Sequence, residues 1–348
     1  MSSCNNGYKF YESIGNPRFI SAPMVDQSEL AFRLLVRKNG ADVAFSQMMH
    51  ARNFMMDPKY RSECIDWNDY SNTLGGGEEE SRRLDQPLIV QFAGDNPETL
   101  VNAGRHVHHN VAAIDLNLGC PQRIAKTGNY GAYLLPNKAV IVKCLTAMVQ
   151  ELDCPITAKI RILPSDEGGH LKPIILTELS SHRNPHPHLK PQRNATLTPT
   201  LLHPPLRPHP PFRLTPLTLT LPLTPNPLFL CETATLDLCR AIEATGVSML
   251  TVHGRTVESN KLFVGSTNWE IIRQIKQTVS IPVIANGGIA NYSDAIRCLH
   301  ETGCDGVMSS EALLENPKLF SLEGDPPGPL IYYIPCLSTA PYRGLHVS

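Results

Sequence analysis

Two rhythms of apolar and polar positions alternate along this chain. Short, dense apolar runs at Phe19–Pro23, Val43–Gln47, Leu88–Phe92, Ala113–Leu118, Ile156–Ile162, Met249–Val252, Pro282–Ala285 and Gly306–Met308 have the length and β-branched content of buried strands. Between them, apolar residues three and four positions apart predict helices at Pro97–His108, Lys138–Glu151, Ala234–Thr245, Trp269–Thr278 and Tyr292–Thr302. A further helix is predicted after Asp26. That residue reads as its N-cap, with Glu29 completing a capping box, and Leu30, Ala31, Leu34 and Leu35 as its apolar face. Arg37 and Lys38 suit the negative end of its dipole, and Gly40 suits the left-handed position that follows a helix.

Strands that alternate with helices imply a parallel sheet. Eight such units imply an α/β fold closed as a (β/α)8 TIM barrel. An open doubly wound sheet is the alternative, and the lack of a G-x-G-x-x-G opening the first helix counts against it. One stretch breaks the rhythm. Gly168–Leu230 holds 14 of the 30 prolines and six of the 13 histidines, too much proline for helix or central strand. The expected organisation is an N-terminal tail at 1–17, barrel strands one to five at 18–167 and a disordered low-complexity insertion at 168–231. Barrel strands six to eight follow at 232–320, then a short irregular C-terminal tail at 321–348.

Composition narrows the picture. The chain has 348 residues, 42% hydrophobic, with a formal charge of −1, so any nucleic-acid partner needs a local basic surface rather than a basic whole. Ten cysteines without a C-x-x-C pair and a polar start predict a reduced setting, cytoplasmic or nuclear. No uncharged apolar stretch is long enough to predict a membrane span.

In a (β/α)8 barrel, chemistry lies at the C-terminal ends of the strands. Strand four runs into Asp115-Leu116-Asn117-Leu118-Gly119-Cys120-Pro121-Gln122, which holds Cys120 at the barrel mouth as a candidate acid; a buried structural cysteine is the alternative. Lys159 and Arg161 share one face of strand five, and strand six ends in His253-Gly254-Arg255, so the mouth is cationic, unless these are only exposed charges at strand ends. Asn286-Gly287-Gly288 after strand seven and Ser310-Glu311 after strand eight occupy the usual phosphate-binding loops of such barrels. Gln91 ends strand three and can pair with a ring or base edge; Ala22-Pro23-Met24 ends strand one. The spacing of His106, His108 and His109 does not predict a metal site.

Taken together, Ala22–Leu30, Val90-Gln91-Phe92, Asp115–Gln122 with Tyr130-Gly131-Ala132, Lys159-Ile160-Arg161, Thr251–Thr256 and Ala285-Asn286-Gly287 resemble the tRNA-dihydrouridine synthase family. The wording is most similar to its eukaryotic branch acting at positions 16 and 17 of the tRNA D-loop. The resemblance implies a flavin mononucleotide (FMN) barrel reduced by NADPH or NADH, which reduces uridine in tRNA to 5,6-dihydrouridine. Carried over by position, Cys120 is the acid; Pro23, Met24, Val25, Gln91, Lys159, His253, Asn286, Gly287, Gly288, Ser310 and Glu311 bind the cofactor; Asn117, Arg161 and Arg255 meet the substrate. The stretch 168–231 has no counterpart in the family, the family's tRNA-holding helical domain is expected to be missing, and Ser310-Glu311 stands where many bacterial members have Gly-Arg. The other functional readings are a truncated or non-catalytic flavin-binding product and a small-molecule flavin reductase of dihydroorotate dehydrogenase type.

Overall fold

The computed structural model describes residues 4–65, 83–164, 227–259 and 266–321. The expected insertion up to residue 226 and the expected tail from 322 lie outside them.

All eight strands form and close into one parallel barrel in sequence order: β1 (Phe19–Ser21), β2 (Val43–His50), β3 (Leu88–Ala93), β4 (Ala113–Leu118), β5 (Ile156–Arg161), β6 (Met249–His253), β7 (Val283–Asn286) and β8 (Gly306–Ser309). Closure is made by β1 against β8, in the register Ile20 opposite Met308. β2 runs three residues past its predicted end, and its pairing with β3 shifts register between Phe45 and Met48. Such an irregularity leaves no trace in apolar periodicity.

The described helices are α1 (Cys4–Ser13), α2 (Leu30–Lys38), α3 (Ala51–Met56), α4 (Pro58–Cys64), α5 (Pro97–Arg105), α6 (Arg123–Thr127), α7 (Lys138–Glu151), α8 (Pro227–Glu243), α9 (Trp269–Thr278), α10 (Tyr292–Thr302) and α11 (Glu311–Glu315). Asparagine caps recur. Asn96, Asn137, Asn268 and Asn291 each accept a backbone N–H from the first turn of α5, α7, α9 and α10, which fixes where these helices start. None of the described helices alone is long and apolar enough to cross a membrane.

Three expectations need correction. Asp26 does not cap α2: it sits at φ 58°, and Glu29 occupies the cap position without a side-chain bond. Ser28 organises this turn instead, donating to the Ala22 carbonyl and accepting the Met24 N–H. The buried face of α2 is Leu30, Phe32, Arg33 and Val36, while Leu35 is 40% exposed. The rotation follows from Arg33, whose guanidinium grips the fully buried Asp85 carboxylate at 2.7 Å. A charge pair of this kind overrides an apolar count, because both groups must be buried together. Finally, α8 begins at Pro227, inside the stretch expected to be insertion. Proline is well suited to a first helical turn, where its missing N–H has no partner to lose.

The 1–17 segment also holds more order than a tail. Phe10 and Tyr11 of α1 pack with Ile20, Val43, Phe45, Ile89, Ala113, Met249, Ile284 and Met308, sealing the N-terminal end of the barrel. A polar clamp holds the helix there: Tyr8 donates to Asp305, and Lys276 donates to both Asp305 and the Tyr8 hydroxyl.

Candidate active site

Parallel strands place alternate side chains in the barrel interior. Beyond the apolar floor, the inward positions of β3 to β7 include a polar set: Gln91, Asp115, Asn117, Thr157, Lys159, Thr251, His253 and Asn286. Six of the eight are joined into two hydrogen-bonded groups, Thr251 and His253 standing outside both.

The first group spans β3, β4 and β5. Asp115 Oδ1 accepts from the Thr157 hydroxyl at 2.6 Å and Oδ2 accepts from Gln91 Nε2 at 2.8 Å. Gln91 Oε1 accepts from Asn117 Nδ2 at 2.7 Å, and Asn117 Oδ1 accepts from the backbone N–H groups of Gly119 and Cys120 at 3.1 and 2.9 Å. Burial pushes the Asp115 carboxyl up to about 6, against the pull of its two hydrogen-bond donors and of Lys159.

The second group spans β5 and β7. Lys159 Nζ donates to Asn286 Oδ1 at 2.9 Å, and Asn286 Nδ2 donates to the Met308 carbonyl. Burial, reinforced by Arg161, pulls the Lys159 ammonium down to about 8. His253 is neutral, held far below its usual range by burial and by the Lys159, Arg161 and Arg255 cations. Among the described residues its buried Nε2 has no hydrogen-bond partner.

Cys120 leaves β4 on a half-buried turn. Its carbonyl accepts the Ala132 N–H, and Gly131 lies so close that a Cβ there would come 2.8 Å from that oxygen. Gly131 also has φ +64°, so a side chain would be both crowded and strained. Tyr130, beside Cys120, meets the His50 ring edge-on at 5.0 Å. Burial pushes the thiol up, against the pull of the Gln122 N–H and of the Arg161 and Lys159 cations. The Arg161 guanidinium bridges two rims of the mouth, donating to the carbonyls of Gly119, Thr256 and Ser259.

A cavity of about 300 Å³ opens where β6, β7 and β8 end. Its lining includes His253, Arg255, Asn286, Gly287, Gly288 and Ser310. Gly287 and Gly288 have φ of +99° and +75°, and a Cβ on Gly287 would come 2.7 Å from the His253 ring. The glycines thus keep a backbone cradle open.

The structure therefore gathers Asn117, Gln91, Lys159, His253 and Asn286 inside one mouth, with Cys120 on its rim and Gly287, Gly288, Arg255 and Ser310 around the adjoining cavity. Glu311, also lining that cavity, is exposed and opens α11. Pro23 and Met24 are half-buried after β1, whereas Val25 is 46% exposed. The sequence assigns no functional role to Asp115, Thr157 or Tyr130, although Asp115 and Tyr130 stand in the motifs that carry the resemblance. The signal for Asp115 was present: an acidic residue in mid-strand, two before Asn117 and hence on its face. Among the described residues no group of three His, Cys, Asp or Glu side chains could hold a metal. The His108 and His109 rings lie 3.8 Å apart, tilted by 35°, and His108 Nδ1 accepts the Asp153 N–H.

The sequence pattern of the family described as Dihydrouridine synthase (Dus) matches residues 20–172 and 231–325. A tRNA-dihydrouridine(16/17) synthase NAD(P)(+)-like protein of Mus musculus is 33% identical over 315 residues, covering 90% of this chain and 50% of its own length. The tRNA-dihydrouridine(16/17) synthase of Schizosaccharomyces pombe is 32% identical over 317 residues, covering 90% of this chain and 60% of its own length. The chain spans about half to three fifths of the length of these relatives. Among solved structures, 2-naphthoyl-CoA reductase matches 89% of this chain and 52% of its own at 9% identity with a TM-score of 0.53, a likeness of fold alone. With its pattern matched on both sides of the expected insertion, this chain belongs to the dihydrouridine synthase family.

Proposed function

We propose that this chain is the catalytic barrel of an FMN-dependent tRNA-dihydrouridine synthase that reduces uridine in the D-loop, at positions 16/17, with NADPH or NADH as reductant. The observation that carries the reading is one rim holding three things together: the Cys120 thiol, the buried Lys159 cation and the glycine cradle beside an unpartnered His253 Nε2. These residues fit the cofactor. The cradle presents backbone N–H groups to a phosphate, His253 has a free polar atom for a ring edge, and Lys159 favours negative charge beside it. Gln91 and Asn286 would hold the ring by their amides. When bound and reduced, FMN supplies a hydride to C6 of uracil.

The chain itself supplies the matching proton. Addition across C5=C6 needs a hydrogen at each carbon, and the charge that develops at C5 must be met by an acid within hydrogen-bond reach. Burial keeps the Cys120 thiol protonated at neutral pH, so the Sγ–H bond breaks only as the C5–H bond forms. Arg161 holds the carbonyl before Cys120, and Gly131 lets the following turn approach it, so the thiol is held in place before substrate arrives. Arg255 and the exposed Arg123 and Lys126 of α6, just after Cys120, supply local positive charge for a polyanion despite the chain's overall charge of −1.

Purified protein should carry one FMN per chain, read from the visible spectrum and from phosphate content after release. The reduced protein should be reoxidised by unmodified tRNA under anaerobic single-turnover conditions. A folded, colourless protein defeats the reading. Reoxidation by dihydroorotate's oxidised partner but not by tRNA would favour the small-molecule reductase instead.

A further inference from the structure

Asp115 is an expensive residue for the interior of a barrel. It is fully buried, its carboxyl is held by two neutral donors, and the nearby Lys159 ammonium gives its hydrogen bond to Asn286 instead. A buried carboxylate without a contacting cation costs stability unless it fixes something of value. What it fixes is a direction. A carboxylate only accepts hydrogen bonds, so Gln91 must turn its NH2 toward Asp115. Gln91 Oε1 then faces Asn117, which must answer with Nδ2. Only Asn117 Oδ1 is left to face the turn, and it accepts from both Gly119 and Cys120.

We infer that Asp115 is a positioning residue for Cys120: it sets the polarity of the Gln91–Asn117 amide chain, and that polarity anchors the backbone of the thiol-bearing turn. The inference rests on the proposed role of Cys120 for its catalytic meaning, but the anchoring itself is independent of cofactor, substrate and turnover. Both Asp115 oxygens are in use, one by Thr157 and one by Gln91. An asparagine offers one acceptor where the carboxylate offers two. If that acceptor serves Thr157, the amide NH2 faces Gln91, both amides reverse, and Asn117 points a donor at the Cys120 N–H.

The test is alkylation of the full chain by iodoacetamide, with the rate at Cys120 read by peptide mass spectrometry. The buried Cys144 and Cys239 report on unfolding. Asp115→Asn should raise the Cys120 rate about fivefold, the weight of one net hydrogen bond lost from the turn, with Cys144 and Cys239 still protected. The paired variant Asp115→Asn/Asn117→Asp reverses the whole chain while leaving a carboxylate oxygen to accept from Gly119 and Cys120. It should return the Cys120 rate to within about twofold of wild type, well inside that same hydrogen-bond weight. A merely structural role would damage the two variants alike, so a paired variant no better than the single one overturns the inference, as does an unchanged rate in Asp115→Asn. Should the single variant unfold, the paired variant alone decides: folded with the wild-type Cys120 rate it supports the anchoring, and otherwise it refutes it. Because no flavin or tRNA enters the measurement, failure here is distinct from failure of the proposed activity, which the single-turnover assay reads.

Discussion

The two ends of this barrel are built from the same strands and do opposite work. At the N-terminal end the inward side chains are Val43, Phe45, Ile89, Ala113, Met249 and Ile284, covered by Phe10 and Tyr11 of α1. One inward position later along the same strands stand Gln91, Asp115, Thr251 and Asn286. A step of two residues, about 7 Å along a strand, carries the interior from apolar packing to buried hydrogen bonding. The difference shows where the molecule is stabilised and where it accepts cost. Lys159, Asp115 and His253 are all shifted in the direction that disfavours their charged forms, and all lie in the upper half.

The largest expected break in this division is at the mouth. Cys120→Ala should retain FMN and its reduction by NADPH yet slow uridine reduction by about 10²–10⁴-fold, the usual weight of one general acid. Single-turnover oxidation by saturating tRNA measures it, and a wild-type rate would make Cys120 a packing residue. At the other end, Phe10→Ala should lower unfolding free energy by about 3–5 kcal/mol while leaving flavin content per folded chain unchanged. Denaturant titration with parallel absorbance separates the two; a loss of flavin at full stability would join the ends that the comparison separates.

The smallest expected effect has the opposite sign. Lys159→Met should lower FMN occupancy but stabilise the cofactor-free protein by about 1 kcal/mol at pH 7, as removal of an ill-solvated charge commonly does. The folded value of Lys159, about 8, lies below its usual 10.5. The unfolded chain therefore binds more protons between these values, and the destabilisation by Lys159 fades as pH rises from about 8 to about 10.5. The gain from methionine should be full below pH 8 and vanish above the upper value. Thermal melts across that range would expose a gain independent of pH, which would point to packing instead of charge.

Much of this organisation was legible in the sequence. β4, α7, α9 and α10 begin and end at the predicted residues, because continuous apolar runs and period-3.6 faces are local signals. The failures came from partners distant in sequence. α1 carries Gly7 and two asparagines and reads as a tail until the barrel end it seals is assembled. The buried face of α2 is set by Asp85, which stands 52 residues beyond Arg33. At the site, glycine turns and strand-end cations announced themselves by type and position. The Asp115–Gln91–Asn117 chain did not, since it depends on the relative register of β3 and β4.

Sealing the barrel with α1 also places the molecule on a clock. Tyr8 and its acceptor Asp305 are separated by 297 residues. On a ribosome adding about 5–20 residues per second, about 15–60 s pass between their appearance. For that interval Phe10 and Tyr11 lack the complete set of strands that bury them, β8 with Met308 being the last to be made. α1 is therefore among the last of the described helices to complete its tertiary contacts, although it is made before every strand it seals.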